Sequence, residues 1–498
     1  MSARGPSQAE ELARRIAAFI DGAHSPVLIE PGEEPIALGE GAYTIEVRRT
    51  GVWIEAWENG RNLVRRAVGL RNAVPGMLEL EVEKFGKRRG RLTLADQDRP
   101  RGAAAGQRAH RQIFREQLRH MVQRRFPGWV LEELTTGADL AHSLSPAYPR
   151  GLVRRGRTAW AVIGAPPGAA AGGALSFGIL WLDYLRGRRG RQVEGLALFV
   201  PEGQYVVVAQ RMGFLASAAG GWKLFVYAGG GSERAVDPAD LGNLETRLEP
   251  PRGRPVFGIE WLERELMAIE GTEVIDLAGG GRSYRVRGLE FGRIVEGSLW
   301  AGIDVKRRIG ASSASRLVSL ARELSRVRRP DSSDPSHPYY RRCPEAWLES
   351  RIRRRVDDLD PSLHRNPVYG QIPAFEAGDR DVLDLLAADH SGRLAVIEVK
   401  ASADLHLPLQ ALDYWMRVRH HALEGGFRSL GYFSGLPVRD VVPRLLLVAP
   451  ALEFHPAVET ILRYLSPEVP VECVWLSGDW RRRIRVVRRR GGLAAFPA

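Results

Sequence analysis

One stretch of this chain occurs twice, and the repetition limits the folds open to it. Gly392-Arg393-Leu394-Ala395-Val396-Ile397-Glu398-Val399-Lys400-Ala401 aligns without a gap to Gly156-Arg157-Thr158-Ala159-Trp160-Ala161-Val162-Ile163-Gly164-Ala165. The match continues on both sides. Leu412-Asp413-Tyr414 pairs with Leu182-Asp183-Tyr184, and the apolar run Leu445–Pro450 pairs with Leu196–Pro201. The helical stretch Tyr340–Ile352 pairs with His110–Val122, which sets Leu118 on Leu348. Helix, strand pair, helix and strand in the same order mark a duplicated unit. Apolar strands alternating with helical periodicity predict a mixed α/β class, built twice.

Each copy is preceded by shorter strands. Gln8–Ile20 has helical spacing, and Tyr43–Val47, Val52–Ala56, Val64–Val68 and Leu78–Val82 alternate as strands do. Later, Gly258–Leu266, Tyr284–Phe291 and Leu299–Ile303 repeat that helix-then-strands pattern, with a seam near Pro250-Pro251. The expected organisation is a helix plus β-rich module over 1–98, a first core over 107–249, a second module over 250–330 and a second core over 336–498. Arg99–Gly106 and Arg328–Pro338 read as linkers, while Arg307–Arg329 is basic and includes a helix over Ala314–Val327.

The chemistry concentrates in the second copy. Asp384 lies on an apolar run that leads through His390-Ser391-Gly392-Arg393 into Leu394–Ile397 and Glu398-Val399-Lys400, the pattern of a hairpin. Residues two apart on a strand share a face, so Glu398 and Lys400 point the same way beside Asp384. Two carboxylates and an ammonium at the ends of buried strands are costly unless they pair or bind a cation. A strand-edge salt bridge would use the same residues. Two carboxylates can also hold Mg²⁺, which takes its other ligands from water and phosphate. Downstream, Gln410 and Tyr414 are four apart on one face of a helix that begins at Pro408.

Asp, then Glu-X-Lys on the next strand, then Gln-X-X-X-Tyr on the next helix, resembles the PD-(D/E)XK (restriction endonuclease-like) nuclease superfamily. The nearest flavour is its RecB-like and NucS-like branch. The resemblance spans residues 336–450. It implies two restriction-endonuclease-like cores in tandem, the first degenerate, and metal-dependent hydrolysis of phosphodiesters in DNA rather than RNA. It makes Asp384 and Glu398 ligands of Mg²⁺ or Mn²⁺, helped by the Val399 carbonyl and by a helix glutamate. Glu349 fits that glutamate first and Glu345 second. Lys400 would be the catalytic lysine, and Gln410 and Tyr414 the supporting helix residues. The family's proline before the aspartate is replaced by Leu383. Glu376, Asp379 and Asp381 are alternative carboxylates that suit turns as well.

The first copy lacks this set. Val162 stands where Glu398 stands, Gly164 replaces Lys400, Arg119 falls opposite Glu349 and Leu180 opposite Gln410. Tyr148 lies roughly opposite Asp384. A copy so altered keeps the fold and loses the ion. It could bind nucleic acid, serve as an internal pseudo-dimer partner or only stabilise, so the chain is expected to be a monomer with a pseudo-dimer or a homo-oligomer.

Composition bounds the partners. Lys and Arg total 72 against 59 Asp and Glu, a net charge of +13. That excess suits a polyanion and predicts salt-sensitive binding. An arginine-rich proteome would give it too. The only cysteines are Cys343 and Cys473, with no neighbours at zinc spacing, which argues against a disulfide framework or a zinc site and fits the cytoplasm. The uncharged Thr158–Leu182 is interrupted by Pro166-Pro167 and Gly172-Gly173, so it reads as strand, loop and helix, and no membrane partner is expected. Gly229–Gly231 and Gly279–Gly281 read as hairpin turns. The arginines of Trp480–Arg490 suit either a phosphate-contacting rim or a charged edge strand. Trp415 and Tyr432 could stack on bases but suit the core better, and His420 and His421 are expected to face different ways. Three function classes follow: a nuclease, a non-catalytic nucleic-acid-binding protein, and an interaction protein with a basic surface.

Overall fold

The computed structural model describes all residues except 1–6, 31–34, 40–42, 49–50, 59–60, 84–88, 97–103, 189–191, 229–231, 241–245, 252–258, 278–280, 304–305, 311–312, 371–383 and 493–498; for 57–58, 61–62 and 104–109 it describes the backbone alone. Among the described residues it is a mixed α/β protein with four sheets and twelve α-helices. Two compact units divide the chain: residues 1–212 with 220–240, and residues 213–219 with 241–498.

The first unit opens with α1 (Gln8–Asp21). Ser7 and Glu10 form a reciprocal capping box at its start: the Glu10 N–H donates to the Ser7 hydroxyl, and the Ser7 N–H donates to the Glu10 carboxylate. Leu12, Ile16 and Ile20, four apart, bury one face against a seven-stranded antiparallel sheet. Its strands are β1 (Pro26–Ile29), β2 (Ile36–Ala37), β3 (Tyr43–Arg48), β4 (Gly51–Glu58), β5 (Arg61–Val74), β6 (Met77–Glu83) and β7 (Arg89–Asp96), in the order β2-β1-β7-β6-β5-β4-β3. Strands β3 to β7 form a meander, and β1 and β2 extend it along β7. Then α2 (Ala104–Arg125) leads into β8 (Val130–Thr135), β9 (Arg150–Arg155), β10 (Thr158–Gly164), α3 (Ala171–Gly187), β11 (Gln192–Pro201), α4 (Tyr205–Met212), β12 (Gly221–Tyr227) and β13 (Glu233–Val236).

The second unit runs α5 (Glu260–Met267), β14 (Thr272–Leu277), β15 (Gly281–Val286), β16 (Leu289–Val295), β17 (Ser298–Ala301), β18 (Arg307–Ile309) and α6 (Ser315–Val327). Its core follows as α7 (Pro338–Arg341), α8 (Pro344–Arg354), α9 (Val356–Leu359), β19 (Leu385–Ala388), β20 (Leu394–Val399), α10 (Leu407–Leu423), α11 (Gly426–Ser429), β21 (Arg444–Pro450), α12 (Ala457–Arg463), β22 (Val471–Leu476) and β23 (Val486–Gly491). The meander β14 to β18 again lies between two helices in sequence. The stretch expected as one strand over Tyr284–Phe291 is two, β15 and β16, because Arg287-Gly288 turns the chain with positive φ at both residues.

The α/β sheets of the two units share one topology. Strand order is β9-β10-β11-β12-β13 in one and β19-β20-β21-β22-β23 in the other. In each, the first and last pairings are antiparallel and the two between are parallel. Helices α3 and α10 connect the first parallel pair, and α4 and α12 the second. Parallel strands covered on both faces read as continuous apolar runs. That explains why Leu196–Val200 and Leu445–Ala449 are buried throughout. The first sheet has a sixth strand, β8, which pairs along β9; among the described residues the second has isolated bridges to the same edge, Tyr369 with Leu386 and Leu363 with Asp389.

The register corrects one sequence alignment. Leu385 lies opposite Ile397, so Asp384 comes level with Glu398. In the first unit Val162 lies opposite Gly151. Gly151, and not Tyr148, therefore occupies the place of Asp384. Arg328 opens the connection between α6 and α7, which carries no helix or strand, yet its side chain is firmly held. Its guanidinium is fully buried, donates to the carbonyls of Tyr339, Arg342 and Arg287, and stacks on Trp347. Burial lowers its pKa to about 10. The residues around Arg99, Gly229 and Gly279 lie partly or wholly outside the described set. No helix among the described residues is long and apolar enough to cross a membrane.

Candidate active site

The site forms at the start of β19 and the end of β20. Asp384 immediately precedes β19, and its Oδ2 accepts the Val399 N–H at 2.8 Å. Glu398 and Val399 end β20, with Glu398 only 4% exposed. The Lys400 N–H donates to the Val448 carbonyl at 2.9 Å, extending the ladder to β21 by one residue. This anchors the lysine backbone, while Nζ lies 3.8 Å from Glu398 Oε1 and 3.9 Å from Asp404 Oδ2.

A third carboxylate arrives from α8. Trp347, Leu348 and Ile352 bury that helix in the core, and Glu349 is carried in with them at 8% exposure. Its Oε1 accepts from Arg353 at 2.8 Å. Gly370 borders both acids: a Cβ there would stand 3.2 Å from the Asp384 carbonyl and 3.4 Å from Glu349 Oε1. Glu345, one turn earlier, accepts the Ser402 hydroxyl at 3.1 Å.

The electrostatics follow from this crowding. Burial pushes the Asp384 carboxyl up to about 7, and the charge of Glu349 adds to it; the Val399 N–H and Lys400 oppose, and Glu345 adds a smaller push. Burial also raises Glu349, against Arg353 and Arg285 and with Glu273. Carboxylates driven toward the neutral acid in this way are short of positive charge. Oxygen donors of this kind are what a hard divalent cation such as Mg²⁺ or Mn²⁺ takes, although among the described residues the one group of three acid, cysteine or histidine side chains with ligand atoms already within 4.8 Å of one another is His420, His421 and Glu424.

The helix residues lie on α10. Tyr414 is buried in the core and Gln410 is half-buried. The Gln410 Oε1 is buried and accepts no hydrogen bond among the described residues. Glu376, Asp379, Asp381 and Leu383 lie outside the described residues. Trp415 and Tyr432 are buried, and the Trp415 indole N–H donates to the Pro443 carbonyl.

Two further expectations change. His420 and His421 do not diverge: their rings stand 5.1 Å apart, His421 Nε2 meets Thr246 Oγ1 at 3.0 Å and His420 Nε2 lies 3.4 Å from Glu424. The C-terminal arginines do line an edge strand, β23, but they bind acids of their own unit. Arg489 reaches Glu472 and Asp360, and Arg490 reaches Glu459. Sequence reading missed Arg353 and Glu273. Arg353 had a signal, four residues after Glu349 on one helical face. Glu273, on β14 and outside the resemblance, had none.

No protein-family model matches the chain. No curated protein matches it. Among solved structures, the chain is similar to a repair endonuclease from Pyrococcus abyssi at 15% identity, over 39% of this chain and 87% of that one, with a TM-score of 0.14. A likeness that loose carries no argument.

Proposed function

We propose that the chain is a divalent-metal-dependent nuclease that hydrolyses phosphodiester bonds in DNA, with its active site in the second core. The observation that carries this reading is the approach of half-buried Asp384 and buried Glu349 to one another beside Glu398 and Lys400, at the end of β20. Asp384, Glu398 and Glu349, with the Val399 carbonyl, would hold Mg²⁺ or Mn²⁺, which supplies Lewis-acid neutralisation of phosphate charge. Lys400, steered by Glu398 and Asp404, orients the attacking water or balances charge on the phosphoryl oxygens. Gln410 brings an unsatisfied carbonyl that can orient Lys400 or the substrate. Tyr414 fixes α10 in the core. The excess of Lys and Arg over Asp and Glu favours a polyanionic substrate.

The test is incubation of wild-type and Lys400→Ala protein with single-stranded and duplex DNA, with and without Mg²⁺ or Mn²⁺. Metal-dependent cleavage by the wild type, reduced about 10²-fold or more in the variant, supports the reading. Salt-dependent binding without cleavage points instead to a non-catalytic nucleic-acid-binding protein. Absence of both leaves the interaction protein.

A further inference from the structure

Arg353 sits at the centre of a buried charge relay that begins outside the core. One arm of its guanidinium donates to Glu349 Oε1 at 2.8 Å, and the other to Glu273 Oε2 at 2.6 Å. Glu273 lies on β14 of the preceding module and is 6% exposed. Its Oε1 accepts the Ser350 hydroxyl and the Gly288 N–H, the latter at 3.3 Å. Arg354 approaches the same oxygen at 3.6 Å and donates to the Thr272 carbonyl at 3.0 Å. Glu273 therefore has partners on α8 and at the β15–β16 turn.

The turn itself seats α8. Gly288 has φ +80°, and a Cβ there would collide with the backbone of Ala346 and Trp347. Only glycine allows so close an approach. Arg328 ties the same turn, through the Arg287 carbonyl, to the carbonyls of Tyr339 and Arg342 just before α8. The module thus sets both where α8 lies and how Arg353 points.

A buried ion network is a poor source of stability, because desolvation offsets most of the attraction. Holding a ligand's orientation is a better use for it: carboxylates that bind metals are themselves hydrogen-bonded, and losing that support weakens metal binding. A carboxylate has two oxygens, so the pairing of Oε1 with Arg353 leaves Glu349 able to ligate through the other.

The geometry points to Glu273 and Arg353 as positioning residues that hold Glu349 toward the metal, so that the β14–β18 module completes the active site of the core that follows it. This rests on the nuclease reading above. With Glu273 neutral, Arg353 is released to close fully on Glu349 and draws it from the ion.

The experiment titrates the full-length protein with Mn²⁺ alone and follows free Mn²⁺ by electron paramagnetic resonance, in four variants: wild type, Glu273→Gln, Glu349→Gln and the double variant. Asp384→Asn is the control for the site. Glu273→Gln keeps the shape and hydrogen-bond acceptor. The expected result is about a tenfold weaker Mn²⁺ affinity in the wild-type background and little further loss when Glu349 is already Gln. An unchanged affinity, or an equal loss in both backgrounds, overturns the relay; the second outcome would mean bare through-space attraction. If Glu273→Gln does not fold, Ser350→Ala is run in the same two backgrounds, where a smaller loss confined to the Glu349 background supports the relay and no loss overturns it. Wild-type protein that binds Mn²⁺ no better than Asp384→Asn would instead remove the metal site and the relay with it. Intact metal binding and cleavage with an unmoved Glu273→Gln would remove the relay alone.

Discussion

The two α/β sheets have the same strand order and the same crossovers, yet opposite interiors at one point. At the end of β20 stand Glu398 and Lys400, with Asp384 level across the pairing and Glu349 above on α8. At the end of β10 stand Val162 and Gly164, with Gly151 opposite. In the first unit the space is used up. A Cβ on Gly164 would lie 3.0 Å from both Leu118 and Phe114 of α2. A Cβ on Gly151 would collide with the Glu133 carbonyl of β8, and the Trp181 indole N–H donates to the Gly151 carbonyl at 2.8 Å. The one acid buried on α2, Glu116, is claimed by Arg115 and Arg119, whose hydrogen bonds and charges outweigh its burial and lower its pKa. The lesson is that one sheet tolerates a charged pocket or a closed apolar corner. The helix packed on the strand end decides which.

The comparison breaks most easily at the carboxylates. Asp384→Ala should reduce metal-dependent cleavage by about 10³-fold, while Val162→Ala leaves it unchanged; initial rates on labelled DNA with Mn²⁺ measure both. Equal activity in wild type and Asp384→Ala would end the asymmetry. Rebuilding the charged pocket in the first unit tests the closed corner. Val162→Glu should cost about 3–5 kcal/mol, the penalty of an uncompensated buried charge, and Gly164→Lys about 1–3 kcal/mol or more from overpacking. Urea unfolding of the full chain reads both, and cleavage by the folded protein stays at the wild-type rate.

The subtler contrast is with pH. In the folded protein Asp384 keeps its proton up to about 7, whereas an unfolded aspartate releases it near pH 4. Between those values the folded state holds more of this proton, so the contribution of Asp384 to metal-free stability is greatest at the acid end and is lost as pH rises toward 7. Asp384→Asn should flatten that slope in the thermal midpoint. Mn²⁺ should oppose it, because a ligand carboxylate must be ionised. The first unit's Val162 corner has no carboxylate to contribute such a slope.

Much of this was legible in the chain. The central strands declared themselves because strands buried on two faces leave unbroken apolar runs, and Glu398-Val399-Lys400 could end such a run only at a polar site. The misplacement of Tyr148 has a simple cause. The first hairpin turns through two residues, Gly156 and Arg157, and the second through five, 389–393. A shared strand cannot reveal that difference. Arg328 looked like the edge of a linker because arginine is rarely buried, and its three carbonyl partners come from residues 11 to 41 positions away. Glu273 could not be found at all, since it meets Arg353 across 80 residues.

Gly288 carries a consequence for anyone trimming the protein. A piece beginning at residue 336 would keep every residue of the sequence signature and still lose the surface on which α8 rests. Arg353 would then face water where Glu273 had been, and the guanidinium of Arg328 would no longer clasp the chain before Cys343. The smallest working fragment should therefore start no later than Ile259, and an inactive shorter one would say nothing against the chemistry.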